Sequence, residues 1–207
     1  MTNKLIIILS APSGTGKTTI ARSLSFRFKE LFSTCISHTT RTVRVKESDK
    51  VNYFFVSKET FSEMIKKQEF AEYNKVYENY YGTSTQQIES LFSQNKIPVL
   101  DIDPKGGDNL SKKYRCVKIF LYPPSLSQLK KRLILRKRET LEEIDYRMSC
   151  IENEIKYAEN FDYLICNDNF KNTVDNVRSI AIAEQLKYHM QIDDLKSILI
   201  KKEPENG

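Results

Sequence analysis

The most constraining feature of the chain is the segment Ala-Pro-Ser-Gly-Thr-Gly-Lys-Thr at positions 11–18, which directly follows the apolar run Leu5–Leu9. This order predicts a buried strand, a glycine-rich loop and a helix in succession. The glycines allow the loop to curl so that its N–H groups point at phosphate oxygens, and the helix adds its positive N-terminal end. The segment therefore predicts a phosphate-binding loop.

Each position of this loop has a predicted task. Lys17 is placed to reach the β- and γ-phosphates of a nucleoside triphosphate, and the Thr18 hydroxyl to bind a Mg²⁺ ion. The usual pattern starts with glycine, and Ala11 stands there instead, which is a mild departure. The alternative is a chance glycine-rich turn, which the succession of strand, loop and helix disfavours. The residues predicted to contact the triphosphate are Ala11, Pro12, Ser13, Gly14, Thr15, Gly16, Lys17 and Thr18.

Short apolar runs alternate with helical patterns along the rest of the chain, which favours an α/β fold built on a parallel sheet. Capping boxes that begin at Ser125 and Thr140 predict the starts of two helices. A third helix is predicted over about 170–190, because apolar residues recur there at helical spacing, namely Phe170, Val174, Val177 and Ala181. The predicted core strands are Leu5–Leu9, Ile97–Asp101, Val117–Leu121 and Tyr163–Cys166.

The pattern of residue types changes between residues 37 and 93. A strand is predicted over 52–56, and residues 70–83 are rich in tyrosine. This pattern predicts a β-rich insertion between the first and second core strands.

Composition narrows the classes of function. A chain of 207 residues can bury the core of one domain. The net charge of +6 is compatible with nucleic acid or phosphate-rich substrates, but the lysines are dispersed, so we expect a solvated surface and no nucleic-acid partner. The four cysteines lack Cys-x-x-Cys spacing, which argues against zinc or a disulfide framework. No apolar run approaches the roughly 20 residues that span a bilayer. We therefore expect a cytoplasmic protein without a membrane partner.

A first cluster of polar residues lies in Ser37-His-Thr-Thr-Arg41-Thr-Val-Arg44, with Glu47 and Tyr53 close behind. The planar fork of arginine bonds phosphate oxygens in pairs, so Arg41 and Arg44 are candidates for holding a second phosphate group. A surface loop with unrelated arginines explains this segment alone equally well.

A second cluster consists of Glu72 and the segment Tyr80-Tyr81-Gly82-Thr83-Ser84. A carboxylate such as Glu72 can accept two neighbouring N–H donors, which the N1/N2 edge of guanine offers and adenine lacks. Ordinary aromatic packing is the alternative for Tyr80 and Tyr81.

Two carboxylates, Asp101 and Asp103, follow an apolar strand, and open parallel sheets bind ligands at the carboxyl ends of their strands. Asp101 is a candidate for holding Mg²⁺ or its water. The alternative, above all for Asp103, is to cap the helix that follows.

A third cluster is basic. Arg132 and Arg136 lie four residues apart on one predicted helix face, and Arg147 follows. Arginines delivered by a closing lid can neutralise the charge of a transferring phosphoryl group. Taken alone, a solvated helix face is the simpler interpretation.

Taken together, these motifs resemble the guanylate kinase family, in bacterial form, over about residues 4–190. The resemblance rests on the segments 10–17, 37–41, 53–56, 79–84, 100–103, 123–125 and 167–168. It implies transfer of the γ-phosphoryl group of ATP to GMP, with Mg²⁺ as cofactor. It further implies an α/β P-loop NTPase core (1–36, 94–124 and 156–207), a β-rich GMP-binding insertion (37–93) and a helical lid (125–155).

The resemblance also implies a role for each matching residue. It places Lys17 and Thr18 at the ATP phosphates and Mg²⁺, and Asn167 near adenine. It assigns the GMP phosphate to Arg41, Arg44, Tyr53 and Tyr81. It assigns guanine to Ser37, Glu72, Thr83 and Asp103. It also places Asp101 in the GMP site and at the metal. The charges that support catalysis are Lys17, Arg41, Arg132, Arg136 and Arg147.

Two departures from the family pattern concern the lid and the hinge. Lys105 stands where the family usually has glutamine, and Leu135 and Lys137 flank Arg136 where glycines are usual. Two other functions stay open at this point. One is a guanylate-kinase-like domain that binds phosphorylated proteins, which the intact loop residues Lys17 and Thr18 disfavour. The other is a kinase for a different phosphorylated sugar or nucleotide, which Glu72 and Thr83 disfavour.

An apolar stripe near the C-terminus predicts a homo-oligomer. Its residues recur at helical spacing beyond the expected core, and they are Ile192, Leu195, Ile198 and Leu199. The alternative is that the stripe folds back on its own subunit. We expect light scattering to give an oligomeric mass for the full chain and a smaller one for a chain that ends near Gln191. A monomeric mass for the full chain would contradict the prediction.

Overall fold

A computed structural model of the protein describes residues 4–45, 47–76, 78–136, 140–187, 191–192 and 195–198. Its strands are β1 Ile6–Ser10, β2 Phe32–Thr34, β3 His38–Thr39, β4 Phe54–Phe55, β5 Phe70–Val76, β6 Asn79–Ser84, β7 Ile97–Asp101, β8 Cys116–Tyr122 and β9 Tyr163–Cys166. Its α-helices are α1 Lys17–Arg27, α2 Lys58–Lys66, α3 Thr85–Ser93, α4 Pro104–Ser111, α5 Leu126–Arg136, α6 Leu141–Lys156 and α7 Phe170–Gln185. A 3₁₀ turn over Tyr157–Asn160 follows α6.

The main sheet is parallel and has the strand order β2-β7-β1-β8-β9. This confirms the predicted α/β fold and its four predicted core strands. The fifth strand, β2, was not predicted, because only Phe32 of its three residues is apolar and buried. A strand of that length gives almost no periodic signal.

The central strand β1 is buried on both faces, which explains its continuous apolar sequence. Ile7 and Leu9 pack in one core cluster with residues of α1 and α7, and Ile6 and Ile8 pack in another with residues of α3 and α4. The sheet is therefore covered by helices on both sides.

Helix α7 differs from its prediction at both ends. Val174, Val177 and Ala181 are buried as expected, but Phe170 is 46% exposed and lines a pocket beside the phosphate-binding loop. Phe170 opens the helix at the edge of the sheet, so it lies outside the core stripe. The described helix ends at Gln185 and does not reach residue 190.

A second sheet, with the order β4-β3-β6-β5, lies within the predicted insertion. Strands β3, β6 and β5 are antiparallel neighbours, and β4 pairs parallel with β3. The predicted strand over 52–56 is reduced to Phe54–Phe55. Phe61 of α2 is buried and stacks on Phe70, with ring centroids 4.5 Å apart, and on Tyr80 at 5.5 Å. These aromatic contacts hold α2 against the sheet.

Helices α5 and α6 form the predicted helical segment and pack against each other. The capping box at Thr140 is confirmed, because Thr140 Oγ1 accepts from the Glu143 N–H and Glu143 accepts from the Thr140 N–H. Ser125 Oγ accepts from the Gln128 N–H at 3.2 Å. The boundaries of core, insertion and lid stay predictions.

Within the described residues, no helix combines the length and the apolar character that a membrane crossing requires. Of the C-terminal apolar stripe, Leu195 and Ile198 are 55% and 68% exposed. Leu199 lies outside the described residues, so the homo-oligomer stays a prediction.

We expect Phe61→Ala to destabilise the protein by about 3–5 kcal/mol, because it removes the aromatic core of the second sheet. The matched control is Phe26→Ala on α1, where the ring is 86% exposed and its loss costs little. Urea denaturation of both variants measures the difference. Equal unfolding midpoints would contradict the assignment of Phe61 to the core.

Candidate active site

The loop between β1 and α1 has the backbone that its glycines predict. Gly14 and Gly16 have φ angles of 91° and 104°, which side chains rarely adopt. A Cβ atom on Gly14 would also lie 2.8 Å from Leu133 Cδ2, so helix α5 packs directly on the loop. Glycine is therefore required at position 14 by both backbone angle and close contact.

Lys17, Thr18 and Asp101 meet at the carboxyl ends of β1 and β7. Asp101 is the last residue of β7 and lies opposite Leu9 in the parallel register. Lys17 Nζ lies 3.5 Å from Asp101 Oδ1 and 3.4 Å from the Ala11 carbonyl oxygen. The Thr18 hydroxyl donates a hydrogen bond to Asp101 Oδ2. Two of the predicted triphosphate residues thus adjoin the predicted metal-binding carboxylate.

The oxygens of Thr18 and Asp101 fit a Mg²⁺ ion that is also held by phosphates. Mg²⁺ in such sites takes one or two protein ligands and completes its shell with phosphate oxygens and waters. No group of three or more His, Cys, Asp or Glu side chains in the described part of the chain could hold a metal by itself. The donor set is compatible with a divalent metal that nucleotide phosphates also hold.

Asn167 links the phosphate-binding loop to the end of β9. Its side-chain Nδ2 atom donates to the Thr15 carbonyl oxygen at 2.6 Å, and its backbone carbonyl oxygen accepts from Arg132 NH2 at 3.0 Å. A pocket beside the loop is lined by Gly14, Gly16, Thr19, Arg132, Asn167 and Phe170. The predicted adenine neighbour and one predicted catalytic arginine therefore share this pocket.

Glu72, Thr83 and Ser37 form a buried polar cluster in the second sheet. The Thr83 hydroxyl donates to Glu72 Oε1 at 2.7 Å, and Ser37 Oγ lies 3.5 Å from Thr83 Oγ1. Burial raises the pKa of Glu72 to about 7, with nearby Asp103 acting in the same direction and the bonds to Thr83 opposing it. A carboxylate this poorly solvated binds N–H donors strongly.

Arg41 is held by Glu47. The two arginine NH groups donate to the two Glu47 oxygens at 2.9 and 3.1 Å, and both side chains are largely buried. The guanidinium also lies 5.3 Å from the Tyr53 ring centroid and 5.6 Å from that of Phe55. The Arg44 N–H donates to Glu47 at 3.0 Å. Burial would raise the pKa of Glu47, but the hydrogen bonds from Arg41 and Arg44 lower it.

Asp103 caps helix α4. Its Oδ1 atom accepts from the Gly106 N–H at 3.0 Å and from Asn74 Nδ2 at 3.2 Å. The helix-capping alternative is therefore confirmed for Asp103. Its charge still acts on Glu72, which joins this cap to the buried cluster.

Helix α6 brings two charged side chains to the loop. Arg147 NH1 donates to Ser13 Oγ at 2.6 Å. Glu154 is half-buried, and burial raises the pKa of its carboxyl, while the nearby charges of Lys17 and Arg147 and the Ser13 backbone act in the opposite direction. The third predicted lid arginine, Arg136, ends α5, and its side chain lies outside the described residues.

Comparisons with known proteins point to one family. The family model described as guanylate kinase matches residues 3–184. The chain is 40% identical to a curated guanylate kinase of Rickettsia felis over 184 residues, which covers 88% of this chain and 95% of the relative. It is 42% identical to the guanylate kinase of Buchnera aphidicola over 188 residues, which covers 90% of this chain and 91% of the relative. The chain belongs to the guanylate kinase family.

A solved structure supports the same family assignment. A crystal structure of guanylate kinase from Anaplasma phagocytophilum superposes with a TM-score of 0.72 at 28% identity, covering 88% of this chain and 87% of that one. The reaction is therefore the phosphorylation of GMP by ATP, a step of purine nucleotide metabolism. This outcome disfavours the two other functions, a domain that only binds phosphorylated proteins and a kinase for another substrate.

Sequence reasoning missed three residues of this site. Glu47 has no role that the sequence predicts, because its importance lies in pairing with Arg41. Asn74 of β5 donates to Asp103 at the start of α4, and no sequence pattern predicts such a contact. Glu154 could have been found, since it follows Arg147 at i+7 and so shares its helix face about two turns later.

The raised pKa of Glu72 makes stability depend on pH. This carboxyl titrates near its ordinary pKa of 4.5 in the unfolded chain and near 7 in the folded protein. The folded state binds more protons between these values, so the free energy of unfolding falls by about 3 kcal/mol as the pH rises across this range. We expect Glu72→Gln to lose this part of the pH dependence.

Urea denaturation at pH 5 and pH 8 measures the effect. The control is Glu78→Gln in the same β-hairpin, where the carboxylate is exposed and its loss should leave the pH dependence unchanged. If Glu72→Gln and the parent chain lose the same stability between the two pH values, Glu72 does not titrate as described.

Proposed function

We propose that the residues gathered around the carboxyl ends of β1 and β7 carry the transfer of the γ-phosphoryl group from ATP to GMP. The observation that carries this proposal is the convergence of Lys17, Thr18 and Asp101 beneath a loop that Arg147 also contacts. Among the proposed roles, no side chain acts as a nucleophile, because the phosphate of GMP is itself the acceptor. Catalysis then consists of positioning and charge stabilisation.

On the ATP side, the loop from Ala11 to Thr18 binds the phosphates through its backbone N–H groups and through Lys17. Adenine lies near Asn167, in the pocket that Arg132 also lines. Thr18 and Asp101 would hold Mg²⁺, which when bound neutralises charge on the β- and γ-phosphates. These roles are supported by the adjacency of the hydroxyl and the carboxylate.

On the GMP side, the Glu72 carboxylate accepts the N1 and N2 protons of guanine. Thr83 and Ser37 orient that carboxylate, as their hydrogen-bonded arrangement indicates. Tyr53, Tyr81, Arg41 and Arg44 hold the phosphate. Asp103 contributes through Glu72 and through the N-terminus of α4, which it caps. Asp101 lies between the two substrates, next to Lys17.

Helices α5 and α6 supply the remaining positive charge. Arg132, Arg136 and Arg147 neutralise the phosphoryl group as charge spreads over its three oxygens. The proposal draws support from Arg147, which already reaches the loop at Ser13. Water is excluded when these helices and the second sheet enclose the substrates, which prevents hydrolysis of ATP.

The cysteines support a proposal for the cellular compartment. All four cysteines lie in the described part of the chain and none forms a disulfide, which favours a reducing compartment such as the cytoplasm.

We expect Lys17→Ala to lower kcat by at least about 100-fold, because no water can replace an ammonium group held at the transferring phosphate. A coupled assay of ADP formation that depends on GMP measures the loss. The control Lys29→Ala removes an exposed lysine just beyond α1 and should keep full activity. A variant with normal Tm and most of its activity would contradict the role of Lys17.

We expect Glu72→Gln to lower the ratio of kcat/KM for GMP over AMP by about 10- to 100-fold, because an amide offers an acceptor on one side only. Glu78→Gln again serves as the matched control, since it removes an exposed carboxylate from the same hairpin. An unchanged ratio would make Glu72 a structural residue.

A further inference from the structure

Strand β5 carries a bulge immediately before Glu72. Phe70 and Glu72 lie opposite consecutive residues of β6, so Ala71 is the extra residue between them. A bulge bends its strand and changes the direction of neighbouring side chains, and bulges are common beside functional sites. The bulge at Ala71 therefore helps to decide where the Glu72 carboxylate lies.

The carbonyl oxygen of Ala71 is hydrogen-bonded to Lys113. The lysine lies in the turn that follows helix α4, and its ammonium group donates to the Ala71 oxygen at 2.8 Å. Ala71 is only 2% exposed, and a buried carbonyl group without a hydrogen-bond partner is costly. The bond from Lys113 therefore stabilises the bulge from outside the second sheet.

The end of α4 fixes the position of Lys113. Its backbone N–H donates to the Leu110 carbonyl oxygen at 3.0 Å. Leu110 is fully buried and belongs to the same apolar cluster as Ala71 and Ile88. The packing that holds α4 on the main sheet thus also brings the lysine to the bulge.

The first turn of α4 holds β5 on the other side of Glu72. Asn74 Nδ2 donates to Asp103 Oδ1 at 3.2 Å. Gly106 lies so close to Glu72 that a Cβ atom on it would be 2.8 Å from Glu72 Oε2. Hydrogen bonds from the two ends of α4 therefore flank Glu72 in the sequence, at Ala71 and at Asn74.

Charged groups at both ends of α4 also act on the pKa of Glu72. Burial is the largest cause of its rise to about 7, and the charge of Asp103 acts in the same direction. The positive charge of Lys113 and the hydrogen bonds with Thr83 oppose this rise. Lys113 therefore favours the charged carboxylate, which is the form that the proposed binding of guanine requires.

We propose that Lys113 is a positioning residue for the selection of guanine, because its bond to the Ala71 carbonyl sets the bulge that directs Glu72 toward the base. The inference rests on the proposed role of Glu72 in accepting the N–H donors of guanine. Lys113 acts through Glu72 and not through contact with GMP. Loss of its ammonium group therefore changes the preference between bases and leaves the ATP side of the site as it is.

The test uses Lys113→Met, which keeps an unbranched side chain but removes the charged donor. Lys113 is exposed, so the substitution opens no cavity. A coupled assay with the full chain gives kcat/KM for GMP and for AMP, and KM for ATP. We expect the ratio of kcat/KM for GMP over AMP to fall about three- to tenfold, the net effect of one hydrogen bond, at an unchanged KM for ATP. Lys113→Arg keeps a charged donor and should restore most of the ratio.

The pH profile of kcat/KM for GMP gives a second readout, because it reports groups that titrate in the free enzyme. Glu72 is protonated as the pH falls through its pKa, which produces an acidic limb. Loss of the positive charge of Lys113 raises that pKa. We therefore expect the limb to lie at higher pH in Lys113→Met than in the parent chain, and to stay in place in Lys113→Arg.

The matched control is Lys112→Met at the same end of α4, where the ammonium group is bonded to Asn109 of its own helix at 3.2 Å. It should keep both the ratio and the pH profile of the parent chain. An unaltered ratio in Lys113→Met, at an unchanged Tm, would overturn the inference. A rise in KM for ATP that matches the change for GMP would also overturn it, as would an equal loss of selectivity in Lys113→Arg.

Glu72→Gln separates this inference from the proposed function. If Glu72→Gln lowers the ratio and Lys113→Met does not, the inference falls and the proposed role of Glu72 stands. If Glu72→Gln keeps the ratio of the parent chain, Glu72 does not select guanine, and both fall.

Discussion

The site depends on the parallel pairing of β1 with β7. That register sets Leu9 opposite Asp101, so the carboxylate ends its strand directly beside the loop that follows β1. Because α1 begins at Lys17, its first turn points Lys17 and Thr18 at the same carboxylate. A slip of one residue would turn Asp101 to the other face of the sheet. The register is held by side chains buried on both faces of β1, so the core that stabilises the fold also aligns the site.

The second sheet buries the carboxylate of Glu72, which destabilises the fold but serves the proposed selection of guanine. Glu72 is almost fully buried, and burial raises its pKa to about 7, which means that the charged form is disfavoured in the folded protein. The hydrogen bond from Thr83 and the charge of Lys113 compensate only in part. A buried carboxylate is costly for folding, but it suits the proposed binding of a ligand edge with two N–H donors. The aromatic packing of Phe61 on Phe70 and Tyr80 supplies stability that this arrangement needs.

The fold could be predicted where the chain gives local signals. The loop, four core strands and the Thr140 capping box each depend on residues that are neighbours in sequence or on simple periodicity. Strand β2 and the exposure of Phe170 could not be predicted, because tertiary packing decides them. The same distinction holds in the site. Resemblance supplied roles for single residues. The pairs Arg41–Glu47, within one loop, and Asn74–Asp103, between β5 and the start of α4, form only once the chain has folded.

Cations lie close to carboxylates throughout the residues that are proposed to bind phosphate. Arg41 has Glu47, Lys17 has Asp101, and Arg147 lies near Glu154. Without those carboxylates, several cations that converge on one cleft would repel one another and weaken the fold. The carboxylates lower that cost and hold each cation in one orientation. If these cations bind the substrate phosphates as proposed, each phosphate binds by exchange and gains its contacts by taking a cation from a carboxylate or by sharing it. An anion that offers only charge gains little from such an exchange, whereas a phosphate, with three oxygens spread over several donors, gains enough to replace the internal partner.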